Sequence, residues 1–274
     1  MSMYVKDWLN HLHARAMGKG LGHVDVLINA TGLEYPLLPE LRALQPAPLI
    51  ALLFEGTPEH ALAQQGPVLV RLTRLEADHF EWLDQFLSRL HREARVISPL
   101  SDWPFEALAK HLRWCSQAQW DRGASHGLFC YYDARLFQGS VQALAAPYST
   151  RFHAAAFSWC WLDRSGTSRE LAGRHCRHTE APDSPSALVL NEEQVTWLRA
   201  RGAAERWCCD HDIKPYQYGL NRHEDLIQHV FHGQLAASRE RGKLNDAQRD
   251  EFIRQWLAQN SPCYPGQPSP ERKS

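Results

Sequence analysis

The chain lacks an excess of charge of either sign. Its 274 residues carry 30 Lys and Arg against 31 Asp and Glu, which gives a formal net charge of −1 at pH 7. Proteins that bind nucleic acid rely on a clustered positive excess that neutralises phosphates. The composition therefore gives no electrostatic support for a nucleic-acid partner, and we expect none.

Long hydrophobic runs are also missing. The longest apolar stretch, Pro46–Phe54, is far shorter than the ~20 residues that a membrane-spanning helix needs. The first residues, Met1–Met17, are interrupted by charged side chains such as Lys6 and Arg15, unlike the unbroken apolar core of a signal peptide. We therefore expect a cytoplasmic protein with no membrane partner.

Sequence motifs of common catalytic centres are absent as well. The chain has no Gly-x-Ser-x-Gly nucleophile elbow and no phosphate-binding Gly-x-x-x-x-Gly-Lys-Ser/Thr loop. A run of glycines at Gly18, Gly20 and Gly22 precedes a predicted strand, whereas a phosphate cradle links a strand to a helix. The 7 cysteines are odd in number and irregularly spaced, so no disulfide framework is predicted.

Apolar and aromatic residues, in contrast, are abundant. Hydrophobic residues make up 44% of the chain, with 10 Trp, a residue enriched in cores and where proteins meet proteins. Short β-prone segments alternate with amphipathic helical patterns, which predicts an α/β lobe over residues 1–166, built as a mixed sheet with flanking helices. The predicted strands are His23–Asn29, Pro48–Phe54, Val68–Leu72, Arg95–Ile97, Gly127–Tyr132 and Ala156–Leu162.

Composition changes after this lobe. Residues 167–186 are polar and contain two prolines, which predicts a linker or an excursion at the surface. Helical patterns with capping residues dominate residues 187–260 and predict an all-helical C-terminal lobe. The proline-rich segment 261–274 is predicted to be a disordered tail.

Two His/Cys groups suggest an alternative to a binding protein. His175 and His178 are three residues apart, as are Cys208 and His211. Zinc ligands commonly show such spacing within each half of a site, although no Cys-x-x-Cys pair is present to strengthen the assignment. The alternative is a cytoplasmic metal-dependent hydrolase with a His/Cys site; the competing interpretation is a polar loop and a helix end with partly buried cysteines.

Three segments, in order along the chain, carry a resemblance to a known family. The first contains Phe54, Gly56, Thr57, Pro58 and Glu59, followed by Gly66 and Pro67; the second is His111, Leu112 and Arg113; the third is Tyr131, Tyr132, Asp133, Ala134 and Arg135. Their succession resembles the type VI secretion adaptor family, long known only as a domain of unknown function. The chain departs from the family pattern at Ala134, where the family has proline, and at Asn29, where it has aspartate.

The resemblance implies a non-catalytic adaptor chaperone with no metal or cofactor. Such a protein binds a toxic effector and helps to place it on the VgrG spike, so the implied partners are a cognate effector and VgrG. Arg113, Asp133 and Arg135 are the candidate partner-binding residues, and the C-terminal lobe is the candidate for selecting the cargo. A structural alternative assigns Thr57 to a helix cap and Asp133 to a second cap that pairs with Arg135 or Arg113.

Overall fold

A computed structural model describes residues 3–73, 76–90, 93–180, 187–240 and 244–261. The chain divides into two compact units, Met1–Asn191 and Glu192–Ser274. The helices of the first unit are α1 (Met3–Gly18), α2 (Leu37–Ala43), α3 (Ala77–Arg89), α4 (Phe105–Cys115), α5 (Phe137–Gln142) and α6 (Ala146–His153). Its strands are β1 (His23–Asn29), β2 (Leu49–Leu52), β3 (Pro67–Thr73), β4 (Val96–Leu100), β5 (Gln117–Trp120), β6 (Ser125–Leu128), β7 (Ser158–Leu162), β8 (Ser168–Ala172) and β9 (Leu188–Val189).

A six-stranded sheet with the order β2-β3-β1-β4-β7-β8 forms the centre of the first unit. Every neighbouring pair in it is antiparallel. Every residue of β1 after His23 is buried, so helices and loops cover both faces of this strand. On one face Trp8 and Leu12 of α1 and Leu83 and Phe86 of α3 belong to the same apolar cluster as the strand residues.

A smaller sheet has the order β6-β5-β9. Strands β5 and β6 form an antiparallel hairpin in which Ala118 lies opposite Gly127. Strand β9 pairs in parallel with the other edge of β5. The buried residues Ala118 and Leu188 anchor this sheet, while His126 on β6 is exposed.

The sequence predicted the α/β class of this lobe, and the sheet with flanking helices confirms it. The predicted strand at His23–Asn29 coincides with β1. The strand predicted at Gly127–Tyr132 is wrong beyond Leu128, because β6 ends there and a turn follows.

The segment 167–186, predicted as a linker or an excursion at the surface, contains an edge strand. Ser168–Ala172 forms β8, which pairs with β7 along its whole length. Its polar composition reflects an edge strand whose alternate side chains face solvent. Residues 181–186 of the predicted linker lie outside the described residues.

The second unit contains the helices α7 (Glu192–Asp210), α8 (His223–Arg239) and α9 (Asp246–Asn260), which confirms the predicted helical C-terminal region. Its core combines residues from all three helices, among them Trp207, Ile227, Phe231, Ile253 and Leu257. Helix α9 begins with a capping box in which Asn245 and Gln248 exchange hydrogen bonds of 2.9 and 3.0 Å. The predicted tail 261–274 lies outside the described residues except for Ser261.

None of the helices within the described ranges is long and apolar enough to cross a membrane.

Candidate functional site

A cleft of about 570 Å³ brings together much of the motif that the sequence singled out. One wall is the turn after β2, the second is the end of α4, and the third is the β5–β6 hairpin. Its lining residues are Gly56, Thr57, Pro58, Glu59, Arg113, Trp114, Gln117, Ala118, Gln119, His126, Gly127 and Ala187. Two of the three motif segments, which lie more than 50 residues apart in sequence, therefore meet at one surface.

Side-chain and backbone contacts fix the turn at Gly56–Glu59. The Thr57 hydroxyl oxygen lies 2.9 Å from the Phe54 carbonyl oxygen and accepts the Glu59 N–H at 3.2 Å. Gly56 has a φ of +74°, a left-handed conformation that favours glycine. The predicted capping role of Thr57 is wrong, since the helix that follows is a short 3₁₀ segment, His60–Gln65, whose N-terminal flanking residue is Glu59.

Glu59 connects the turn to the third wall of the cleft. Its carboxylate accepts a hydrogen bond of 2.9 Å from the Thr57 hydroxyl and one of 3.0 Å from the Gln117 side-chain amide. Gln117 is the first residue of β5, so this contact joins the motif turn directly to the hairpin. The turn is thereby held at a fixed distance from β5.

Arg113 lies at the C-terminal end of α4 and lines the same cleft. Its Nε–H donates to the Leu52 carbonyl oxygen at 3.3 Å, and its guanidinium lies 3.9 Å from the Glu55 carboxylate. About a quarter of the side chain (26%) remains exposed, so the cation is available at the surface of the cleft. Arg113 thus covers a main-chain carbonyl at the edge of β2 and keeps part of its cation exposed, which suits it to binding and orienting a charged partner.

Residues 26–151 match the family model described as "Domain of unknown function (DUF4123)". This segment, a little under half of the chain, is similar to that family. It contains both motif walls of the cleft and the whole β5–β6 hairpin. No curated protein and no solved structure matches the chain.

Gly66 has a steric role in the segment that matches the family model. A Cβ atom at this position would lie 2.3 Å from Cδ2 of Phe54, far inside van der Waals contact. The Phe54 ring is 4% exposed and packs edge-on against Tyr132, with ring centroids 5.8 Å apart, so it has no room to move aside. The glycine therefore allows Phe54 to link the first motif segment to the third.

Gly66→Ala is expected to lower the free energy of unfolding by about 1–3 kcal/mol, the usual cost of overpacking a core. Urea denaturation followed by tryptophan fluorescence measures this loss. Gly22→Ala is the matched control, because a Cβ there meets no atom within 4 Å. The combination of Gly66→Ala with Phe54→Leu should recover stability, and equal losses in the single and double variants would contradict the steric explanation.

Asp133 and Arg135, the other two candidate partner-binding residues, form a local pair. Arg135 donates through its side-chain Nε to both Asp133 carboxylate oxygens, at 2.8 and 3.1 Å, and its backbone N–H reaches the same carboxylate at 3.0 Å. Asp133 is 6% exposed. This arrangement is an Asx-type turn closed by an ion pair. Of the two arginines considered as its partner, Arg135 fills that place in the described structure.

The capping role that the structural alternative assigns to Asp133 is wrong, because the residue that flanks the N-terminus of the next helix is Leu136. Residues up to Leu136 form a turn, α5 begins at Phe137, and α6 follows from Ala146. The Asp133 carbonyl accepts the N–H groups of Leu136 and Phe137 at 2.9 and 2.8 Å. Asp133 therefore shapes the turn before α5. Among the described residues that line the cleft, Arg113 is present but Asp133 and Arg135 are not.

His111 and Leu112 tie α4 to the polypeptide behind the cleft. Nε2 of His111 lies 3.3 Å from the Phe152 carbonyl oxygen, and burial lowers the pKa of this imidazole to about 4. The Leu112 carbonyl accepts the Tyr131 hydroxyl at 2.8 Å. Burial also raises the pKa of Tyr131 well above its usual value. Both motif residues thus have structural contacts within residues 26–151 or with the adjoining Phe152.

The His/Cys groups of the alternative hypothesis have other neighbours. His175 lies 2.6 Å from the Asp102 carboxylate and stacks on Phe157 with centroids 3.7 Å apart. In the second unit His211 lies 2.9 Å from the Asp250 carboxylate and stacks on Trp207. Within the described ranges no group of three or more His, Cys, Asp or Glu residues is arranged to hold a metal ion. The geometry therefore offers no support for the metal-dependent hydrolase.

Sequence reasoning missed the third wall of the cleft. Gln117, Gln119 and His126 come from two four-residue strands whose Gln, Ala, Ser and His content carries little β propensity. The one available signal was the turn at 121–123 between two short segments of similar length. That turn connects β5 to β6.

Proposed function

We propose that the chain is an adaptor chaperone that binds a type VI secretion effector and helps to load it onto the VgrG spike. The match of residues 26–151 to DUF4123 carries this proposal, because that family is known for type VI effector adaptors. The three sequence motifs that resemble the adaptor family all lie within this segment.

The cleft supports the proposal by supplying a surface suited to a polypeptide partner. Its volume of about 570 Å³ lies within the range of specific binding clefts. Arg113 presents a partly exposed cation on one wall, and the Gln119 and His126 side chains present hydrogen-bonding groups on another. Such a mixed surface favours recognition of a partner over bulk hydrophobic association.

The second unit is the proposed selector of the cargo. Its core is separate from that of the first unit, so its helical surface can vary without disturbing the cleft. Removal of residues 192–274 is expected to abolish effector binding. Full binding by the shortened chain would show that the selecting surface lies elsewhere.

Deletion of the gene tests the adaptor role directly. We expect a toxin gene beside this one. Its product should co-purify with the chain, and secretion of that toxin should cease in the deletion strain while its synthesis continues. The other secreted components should still be released, because an adaptor acts on its own cargo. Normal secretion of the toxin without this chain would end the proposal.

Arg113→Glu, introduced into the complementing copy, tests the cleft. We expect at least a tenfold reduction in co-purified toxin, because the substitution removes the cation that the cleft presents and places a negative charge beside Glu55. Arg42→Glu is the matched control, since Arg42 is exposed on α2 and does not line the cleft. An equal effect of both substitutions would assign the loss to net charge instead of the cleft.

A further inference from the structure

The β6 edge of the small sheet presents main-chain groups that no described strand covers. The Phe129 N–H donates to the Ser116 carbonyl at 2.8 Å, immediately beyond the pairing of Leu128 with Gln117. Hydrogen-bonded and non-hydrogen-bonded pairs alternate in an antiparallel ladder. Gly127 therefore bonds to β5, whereas the N–H and C=O groups of His126 and Leu128 point away from it.

These outward groups are largely unsatisfied. Over the described ranges, neither the N–H nor the C=O of His126 has a hydrogen-bond partner, and the Leu128 carbonyl meets only the Cys130 thiol, at 3.8 Å. The edge of β2 differs, because the Arg113 guanidinium covers the outward Leu52 carbonyl. Uncovered edge groups are a template for an additional strand.

The cleft lies over the small sheet beside this edge, because its lining includes Gln117 and Gln119 of β5 as well as residues of β6. His126 and Gly127 line it together with the Gly56–Glu59 turn and Arg113. Trp114, which follows Arg113 at the end of α4, also lines the cleft. Its side chain is 8% exposed, and its indole N–H has no acceptor among the described residues. A main-chain carbonyl of a bound segment would supply the missing acceptor. Four residues of β6 span about 13 Å, enough to pair with a short extended segment.

We infer that the β6 edge binds an extended segment of the effector, which adds a strand to the β6-β5-β9 sheet at the side of the cleft. The inference rests on the proposed function and specifies how the partner is held. Strand addition draws affinity from main-chain hydrogen bonds, while the surrounding pockets select side chains. The main-chain groups of His126 and Leu128 supply the hydrogen bonds, and the walls of the neighbouring cleft supply the pockets for side chains.

A second copy of this chain fits the same edge less well. A two-fold interface requires a surface that is complementary to itself. Here the edge lies beside a concave cleft, and two identical concave surfaces would leave both clefts unfilled. An extended segment of a different protein can form hydrogen bonds with the main-chain groups of the edge, while side chains of the same protein enter the cleft beside it.

Hydrogen exchange resolved to single amides tests the inference on the unaltered full-length chain, alone and in complex with the toxin encoded beside its gene. The amides of His126 and Leu128 should exchange at least tenfold more slowly in the complex. The Gly127 amide, already bonded within the ladder, should change little. Unchanged exchange at both outward amides in a stable complex would overturn the strand addition and leave the adaptor function standing.

A backbone substitution gives the second readout. His126→Pro removes the outward N–H without removing a β5 ladder bond, and it should weaken toxin binding at least tenfold. His126→Ala keeps the N–H and removes only the imidazole that lines the cleft, so it should bind the toxin at least about fivefold more tightly than His126→Pro. Equal weakening by both variants would assign the effect to the imidazole and contradict the inference.

The remaining outcomes separate this inference from the function on which it rests. Failure of the toxin to co-purify with the original chain would remove the adaptor function and the docking site together. A dimer of the chain alone that His126→Pro dissociates would show that the edge pairs with itself, which would overturn the inference.

Discussion

Asp25→Ala is expected to lower the free energy of unfolding of the first unit by about 3–5 kcal/mol, the usual cost of leaving one partner of a buried ion pair alone. Asp25 on β1 is 1% exposed and receives two hydrogen bonds from Arg71 on β3, at 2.7 and 2.8 Å. The Arg71 side chain is 12% exposed. Removal of the carboxylate would leave a guanidinium in the interior without its counter-charge, and urea denaturation measures the loss.

Replacement of both partners distinguishes the pair from simple packing. The double variant Asp25→Leu with Arg71→Met removes both charges and should recover most of the stability, because apolar residues of similar volume often replace a buried pair at little cost. Arg71 also donates to the Trp103 carbonyl at 2.9 Å, so a small residual loss is expected. A double variant as unstable as Asp25→Ala would show that the ion pair is not the source of the loss.

The same pair shows what sequence could not predict. The apolar run from Val24 to Ile28 predicted β1, because strands buried on both faces have near-continuous hydrophobic sequences. Asp25 interrupts that run, and its partner lies 46 residues away. Only the register of β1 with β3, which places Asp25 opposite Arg71, brings the two together.

Local propensity failed where tertiary contacts decide the conformation. Tyr131 and Tyr132 favour a strand by residue type. In the fold the Tyr131 hydroxyl reaches Leu112 on α4, and the Tyr132 ring packs against Phe54. The Asp133–Arg135 turn then directs the chain into α5. These contacts join segments distant in sequence, so no pattern within residues 127–132 could reveal them.

Only part of the candidate site was predictable from the sequence. Residues of the first two motif segments could be selected from their order along the chain, and both segments reach the cleft. The motif did not include the β6 edge, whose relevance depends on unpaired main-chain groups. Main-chain groups belong to every residue, so their availability at His126 follows from strand pairing alone.

Acidification from about pH 6.5 to pH 4 is expected to reduce the stability of the first unit, in part through His111. Burial lowers the pKa of His111 to about 4 in the folded state, below the usual value of 6.5 for an exposed imidazole. The unfolded chain therefore binds more protons than the folded chain between these values, and stability falls as the pH falls. The stabilisation is complete above pH 6.5, and its loss amounts to about 3 kcal/mol at pH 4.

His111→Gln isolates this contribution. Glutamine keeps a donor for the Phe152 carbonyl but does not titrate, so the variant should lose about 3 kcal/mol less than the original chain over that pH range. Burial lowers the pKa of His153 to about 4 as well, so some acid sensitivity should persist in the variant. His60→Gln removes an exposed imidazole and is the matched control. Parallel stability curves for His111→Gln and the original chain would contradict a titrating His111, because the buried imidazole is the only group that the substitution removes.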